Sequence, residues 1–434
     1  MTKKNSQLKN ITSNTRAFII DILMLCDQGA FSNEILPVRL SSSNFSSKDR
    51  AMITNVVYSS LRNQIRIDNA LSKISKRPIS KLDSIVINAL RSVATQIMLG
   101  FDAHGVVNET VTVMPFAYKS FVNALSRKIV NDIEGDRFFK NESISIQNSM
   151  PHWIVKELQT TFGEDHTKYL PLFNQAPCVT LFGLDRSLNN ADETIQTRFT
   201  SGDIVVDAKI LESAGDIGEL QIIKDGNAIV VDQGSQLIVK NIPLKDTDIV
   251  LDLCSAPGGK SFMMSTKAKH IYANDIAHSR MKKFVDTKKR TKINNVSGIV
   301  SDGTKSCFID KAFDVVLVDA PCSGLGVLRR RPDARNSIKD TIVKDLFELQ
   351  KSIISESIGL VKPNGIYVYS VCTFTNMETI EIDNWISRNH PHFKEIQVED
   401  LPENIIKRSR GYLLPPGQYN DSMYFLILEN TSNE

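Results

Sequence analysis

Residues 248–260 read DIVLDLCSAPGGK: an apolar run closing on Asp252, then Cys254-Ser255-Ala256-Pro257, then Gly258-Gly259-Lys260. The stretch sits where a first strand hands over to a first helix. Adjacent glycines there let the main chain approach a ligand closely, and the helix start presents unpaired N–H groups to it. The loop is neither G-x-G-x-x-G nor a phosphate-binding Walker loop. Moving outward, HIYAND (270–275), SGIVSD (297–302), DVVLVDA (314–320) and GIYVYSV (365–371) repeat the pattern of strand, loop and helix. Near-continuous apolar strands alternating with helices predict an α/β domain whose parallel sheet is covered on both faces. Asp275 closes the second strand, about where an acid commonly grips ribose hydroxyls, and Asp302 closes the third.

The preceding half is built differently. Residues 15–131 read as helix after helix: 16–27, 47–63, 65–74, 81–99, 106–116 and 119–130. Ile85, Ile87, Leu90, Val93, Ala94 and Ile97 recur at helical spacing, which leaves Arg91 and Gln96 facing outward, with Ser80 and Asp83 fitting the helix start. Residues 132–149 are polar and mark a boundary. Beyond them a helix over 151–162 precedes CVTLFGL (178–184), IVVD (204–207) and AIVVD (228–232), a small α+β module. The expected division is a flexible polar tail over 1–14, an all-α domain over 15–140, the small module over 150–240 and the α/β domain over 241–434.

Composition narrows the function classes. With 434 residues, 41% hydrophobic and 23% charged, the chain matches an ordinary globular protein of two or three domains. No apolar run approaches the roughly 20 residues of a membrane-spanning helix, and the basic start lacks an apolar signal region, so a cytosolic protein is expected. Six cysteines without a C-x-x-C pair and seven histidines without H-x-x-x-H predict neither zinc nor disulfides. Residues 1–140 hold 19 Lys+Arg against 11 Asp+Glu, leaving 33 against 38 in the rest. A basic amino-terminal domain on a nearly neutral chain suits phosphate contacts.

Three further segments carry a resemblance. CSAPGGK (254–260), DAPCSGLGVLRRRPDAR (319–335) and YSVCTF (369–374) resemble the S-adenosylmethionine loop, PC motif and TC motif of RNA (cytosine-5) methyltransferases. The amino-terminal helices, ending in FVNALSRKI (121–129), are similar to the RNA-binding factor NusB, and the combination is characteristic of the Sun/Fmu branch acting on 16S ribosomal RNA. The similarity runs over nearly the whole chain, taking in PHWI (151–154) and VDQGSQL (231–237). It implies a Rossmann-like methyltransferase domain behind a NusB-like bundle and a small RNA-binding module. The cofactor implied is S-adenosyl-L-methionine, held by Cys254, Ser255, Ala256, Pro257, Gly258, Gly259, Lys260, Asp275, Asp302 and Asp319. The partner implied is 16S ribosomal RNA, or an early small-subunit assembly intermediate, with no metal and no membrane.

The chemistry needs a nucleophile on C6 of cytosine, because C5 attacks a sulfonium only after such an addition, and a cysteine thiolate suits a reversible step. Cys322 and Cys372 both follow strands, and residue reading alone does not rank them. By resemblance the nucleophile is the TC-motif cysteine, Cys372, with Cys322 assisting elimination. Asp319 is the candidate for the amidine edge of the base. Arg329, Arg330, Arg331 and Arg335, directly after the PC motif, are expected to clamp phosphates. A second basic run (Arg280, Lys282, Lys283, Lys288, Lys289, Arg290, Lys292) fits RNA binding or a solvated helix face equally well. The sequence departs from the family at Val371, where a threonine is usual, at Phe182-Gly183-Leu184 in place of an Arg-x-Asn element, and at Asn336, where an aromatic residue is frequent. Transfer RNA is the nearest alternative acceptor. An RNA-binding factor without catalysis is the alternative of another class.

Overall fold

The computed structural model describes residues 8, 11–140, 142–184, 199–211 and 217–432. They divide into two compact units, one made of Met1–Gln159, Glu164–Ala176 and Leu328–Ile338, the other of Thr160–Gly163, Pro177–Val327 and Lys339–Glu434.

The first unit is helical: α1 Thr15–Asp27, α2 Ser32–Ser41, α3 Ser47–Arg62, α4 Gln64–Ser75, α5 Ser84–Met98, α6 Ala103–Val113 and α7 Phe116–Glu134. Asn14 starts α1, its side-chain oxygen accepting from the N–H groups of Arg16 and Ala17, and Asp102 does the same for α6 through Gly105. Of the expected tail, residues 1–7, 9 and 10 lie outside the described residues, whereas Leu8 and Ile11 pack against the helical core. Helix α2 escapes sequence reading because Pro37 interrupts it and it buries only Ser32, Leu36 and Leu40. Helix α5 overturns the expectation of an outward face: every residue from Ile85 to Gln96 is buried, because α1, α3, α4, α6 and α7 all pack around it. Arg91 instead spans two acids, with Nη1 2.7 Å from Asp27 Oδ2 and Nη2 2.6 Å from Asp68 Oδ2. Gln96 donates to its own helix, Nε2 lying 2.9 Å from Ser92 Oγ. Asp83 holds the cap position of α5 without a side-chain bond, and Ser80 falls in the short turn Ile79–Lys81. The polar stretch 132–149 carries α7 to Glu134 and then returns Phe138 to the same core.

The second unit contains two sheets. The smaller consists of β1 Val179–Gly183, β2 Phe199–Ser201, β3 Lys209–Leu211 and β4 Ala228–Val230, all antiparallel in the order β2-β3-β1-β4. Ile204–Asp207, read above as a strand, is a bend: Gln233 Oε1 accepts from the N–H groups of Ile204 and Val205, which replaces a ladder. The larger sheet has nine strands: β5 Ile249–Asp252, β6 His270–Asn274, β7 Val296–Ile299, β8 Phe313–Asp319, β9 Val361–Val371, β10 Phe393–Glu395, β11 Ile406–Arg408, β12 Gly411–Leu414 and β13 Met423–Asn430. Its order is β11-β12-β13-β9-β8-β5-β6-β7, with β10 against β13. Strands β5 to β9 are parallel, as read, but β13 runs antiparallel to β9, so the sheet is mixed rather than all parallel. Val315, Val316, Leu317 and Val318 are at most 1% exposed, and full burial of each such side chain contributes about 1.5–3 kcal/mol.

This order has a functional corollary. From β5 the chain adds β6 and β7 on one side, then crosses to β8 and β9 on the other. The order therefore reverses between β5 and β8, where open α/β sheets form their ligand crevice. The loops leaving β5 and β8 are CSAPGG and APCSGLG.

Candidate active site

The loop after β5 is shaped for close approach. Gly258 has φ +105°, and a Cβ there would lie 2.5 Å from Phe284 and 2.8 Å from Phe262, a stacked ring pair with centroids 4.8 Å apart. Only glycine satisfies both constraints. Gly258 opens the helix Gly259–Met264. Ser255 Oγ is buried and has no hydrogen-bond partner among the described residues. Asp275 Oδ2 accepts from Ala256 N–H at 3.2 Å, and Oδ1 accepts from Ala277 N–H and from Arg280. At 2% exposed, Asp275 ties the loop to the end of β6. Asp302 accepts from the N–H and hydroxyl of Thr304, which hold its carboxyl below the usual range. A glycine cradle, an unspent buried hydroxyl and strand-end carboxylates fit a small polar cofactor such as S-adenosylmethionine.

Beside the loop stands a charged pair. Lys260, 7% exposed, is no surface lysine: Nζ lies 2.7 Å from Asp319 Oδ2. Burial alone would lower the Lys260 pKa, but Asp319, joined by Asp252 and Cys372, raises it above the ordinary lysine range. Asp319 Oδ1 accepts from Ser370 Oγ at 2.7 Å, across the register pair that joins β8 to β9. Asp252 is 1% exposed, accepts from Ser261 Oγ at 2.5 Å and is pushed up to about 7 by burial.

Cys322 and Cys372 come together. Their sulfurs are 3.3 Å apart, each at the end of one of two adjacent strands. The hydrogen bond to Cys372, then burial, drives the Cys322 pKa well above the usual thiol range. Burial, then Asp252, raises that of Cys254, which thus remains a thiol. Sequence reading missed the group beneath the pair, Glu378, which is fully buried. Its Oε1 accepts from Ser323 N–H at 2.7 Å, and its Oε2 from Ser323 Oγ at 2.6 Å and Thr375 Oγ1 at 2.9 Å. Gln350 Nε2 reaches both Glu378 Oε1 (3.2 Å) and Pro321 O (2.9 Å). The only sequence signal was an acid six residues after Cys372, which is indistinguishable from a surface glutamate.

The arginine run departs from expectation. Arg329 and Arg335 are each 1% exposed and lie inside the helical unit. Arg335 donates to Arg62 O (2.9 Å), Ser149 O (3.2 Å), Asn174 Oδ1 (2.6 Å) and Phe173 O. Arg62 in turn donates to Arg329 O, and Asp333 accepts from Ser32 Oγ at 2.6 Å. A planar fork satisfying several carbonyls at once is an anchor, so the Arg335 guanidinium is not free to clamp a phosphate, and that of Arg329 is withdrawn from the surface by burial. Arg330 is half-buried, and Arg331 is exposed with its guanidinium 5.3 Å from the Phe31 ring. Asn336 is exposed and donates to Gln64. In the second basic run, on helix His278–Thr291, Arg290 donates to Ile223 O and Ala228 O and Lys288 to Val296 O, while Lys282, Lys283 and Lys289 remain exposed. Among the described residues no cluster of three or more His, Cys, Asp or Glu could hold a metal, and no helix is long and apolar enough to cross a membrane.

Residues 239–429 match the family described as 16S rRNA methyltransferase RsmB/F, and residues 13–132 match the NusB family. The chain is 27% identical over 430 residues to the probable ribosomal RNA small subunit methyltransferase B of Bacillus subtilis (strain 168), covering 93% of this chain and 96% of that protein. It is 24% identical over 396 residues to ribosomal RNA small subunit methyltransferase B of Shewanella oneidensis, covering 88% and 91%. Among solved structures, PH0851 superposes with a TM-score of 0.77 at 19% identity over 96% of this chain and 98% of that one. NSun6 from Pyrococcus horikoshii gives 0.56 at 15% identity over 65% and 99%.

Proposed function

With residues 13–132 belonging to the NusB family and residues 239–429 to the 16S rRNA methyltransferase RsmB/F family, we propose that this protein methylates C5 of a cytosine in 16S ribosomal RNA. The acceptor is the free RNA or an early small-subunit intermediate. The observation that carries the reading is the 3.3 Å approach of Cys322 and Cys372 beside the Lys260–Asp319 pair. S-adenosylmethionine, held by residues 254–260 with Asp275 and Asp302 supporting the crevice, supplies an electrophilic methyl group.

The roles follow the family resemblance. Cys372 is the nucleophile and adds to C6 of the extruded base, while the contact with Cys372 and burial hold the Cys322 thiol well above the usual range. Asp319 faces the amidine edge and stabilises the charge developing there, while Lys260 balances Asp319 and the attacking sulfur. Once C5 has been alkylated and has lost its proton, Cys372 leaves C6, and Cys322 assists that elimination. Binding of the RNA falls to the NusB-family domain, the 150–240 module and the exposed cations Arg331, Lys282, Lys283 and Lys289.

The test is denaturing gel electrophoresis of the protein with 5-azacytidine-substituted 16S RNA and S-adenosylmethionine, comparing wild type with Cys372→Ala and Cys322→Ala. The expected result is a denaturation-resistant adduct lost in Cys372→Ala and retained in Cys322→Ala. Loss in Cys322→Ala alone exchanges the two roles. No adduct with 16S RNA, but one with transfer RNA, overturns the substrate.

A further inference from the structure

Glu378 is a carboxylate at 0% exposure, and no cation is bonded to it among the described residues. A buried charge of this kind is expensive unless several donors satisfy it. Here Ser323 N–H, Ser323 Oγ, Thr375 Oγ1 and Gln350 Nε2 do so, and Thr373 Oγ1 approaches at 3.3 Å. The identity of these donors is what matters. Ser323 directly follows Cys322, and Thr373 directly follows Cys372. The two hydroxyls also touch each other at 2.8 Å. Gln350 adds a third tether through Pro321 O, on the other side of Cys322. Tyr369 fixes the base of the clamp by donating to Glu378 O (2.9 Å) and Gln350 Oε1 (3.1 Å).

We propose that Glu378 is a positioning residue that sets the separation of the two thiols by holding Ser323 and Thr373 on one carboxylate. The proposal rests on the reading of Cys372 and Cys322 as nucleophile and elimination partner. Glu378, at 0% exposure, presents no surface to a base or cofactor; its effect passes through the loop carrying Cys322. With the clamp loosened, Cys372 on the end of β9 still adds to C6, but Cys322 no longer reaches the adduct. Turnover then stalls after addition instead of before it.

The experiment uses the full chain, unmodified 16S RNA and S-adenosylmethionine. Glu378→Gln keeps the shape but sets an amide donor against Ser323 Oγ or Gln350. We expect kcat to fall about tenfold to a hundredfold, the scale of a misplacement near one ångström. KM for RNA and calorimetric affinity for S-adenosylmethionine should stay within about twofold. A covalent protein–RNA complex should accumulate on ordinary RNA, where wild type shows none. Ser323→Ala should give a smaller fall in the same direction, and the double variant should be no worse than Glu378→Gln, because both act through one contact. Wild-type kcat in Glu378→Gln, or a fall in kcat accompanied by equal loss of cofactor affinity and no accumulated complex, overturns the proposal. Full activity in Cys372→Ala overturns the underlying cysteine reading instead, and the proposal with it.

Discussion

Lys260, buried in the first turn of the helix Gly259–Met264, and Asp319, the partly exposed last residue of β8, form an ion pair, Nζ to Oδ2 at 2.7 Å, beside the sheet's crossover point. Burial opposes the Lys260 charge and Asp319 outweighs it, so the lysine pKa lies above its ordinary value. The sign follows from that direction. Stability contributed by a raised lysine is fully present below the unfolded pKa of about 10.4 and is lost only as pH rises through the higher folded value. Methyl transfer should therefore show no limb from Lys260 between about pH 6 and pH 9. Lys260→Met leaves Asp319 without its cation and should slow single-turnover methylation about a hundredfold, with filter-binding affinity for RNA changed far less.

Asp252 titrates with the same sign in a lower pH window. Burial raises it to about 7, against about 3.9 in the unfolded chain. Between these values the folded state holds a proton that the unfolded state has released, so stability falls as pH rises through the window and is level above it. Asp252→Asn should remove this dependence. Urea unfolding at about pH 4.5 and pH 8 should show the variant gaining on wild type by about 1–4 kcal/mol across the interval. A constant difference would assign Asp252 no such titration.

Gly258→Ala places a methyl group against Phe284 and Phe262 on a backbone at φ +105°. Strain and overpacking together predict a loss of about 2–4 kcal/mol and no calorimetric binding of S-adenosylmethionine. Gly259→Ala is the control: its Cβ would lie 3.3 Å from Val231 with no positive φ, so stability should change by less than about 1 kcal/mol.

Arg335→Met and Arg331→Ala separate anchor from surface. The first strands the carbonyls of Arg62, Ser149 and Phe173 and should cost about 3–5 kcal/mol in urea unfolding. The second removes an exposed guanidinium and should leave stability within about 0.5 kcal/mol, while its RNA affinity becomes less sensitive to salt.

Periodicity made the large elements legible. Of α1 to α7, apolar spacing marked all but α2, and near-continuous apolar runs marked β5 to β9, because in both cases burial acts on consecutive or regularly spaced side chains. The antiparallel strands β10 to β13 were unread. Phe393–Glu395, Ile406–Arg408 and Gly411–Leu414 are too short to carry a period, and β13 finds its central partner, β9, more than 50 residues away. Strand-end chemistry was also legible: Asp319, Cys322 and Cys372 converge because the ends of neighbouring parallel strands must share one edge.

Polar residues were the hard part, because a side chain's type does not say what it meets. Arg91, between apolar neighbours on α5, read as outward because its two acids lie on α1 and α4. Arg329 and Arg335 read as phosphate ligands for the same reason: Arg335 donates to Arg62 O and Asn174 Oδ1, and Arg329 O accepts from Arg62, all more than 150 residues away. Glu378 read as nothing, since its four donors come from three separate stretches of chain.

The segment Leu328–Ile338 completes a helical body whose other parts end at Ala176. During synthesis, the groove that receives Arg335 leaves the ribosome long before Arg335 does, and it holds the carbonyls of Arg62, Ser149 and Phe173 open to water until then. The amino-terminal body thus closes late, threaded by a piece of chain that also follows directly on the Cys322 loop. Making the catalytic loop and finishing the helical body are consecutive events in the birth of one polypeptide.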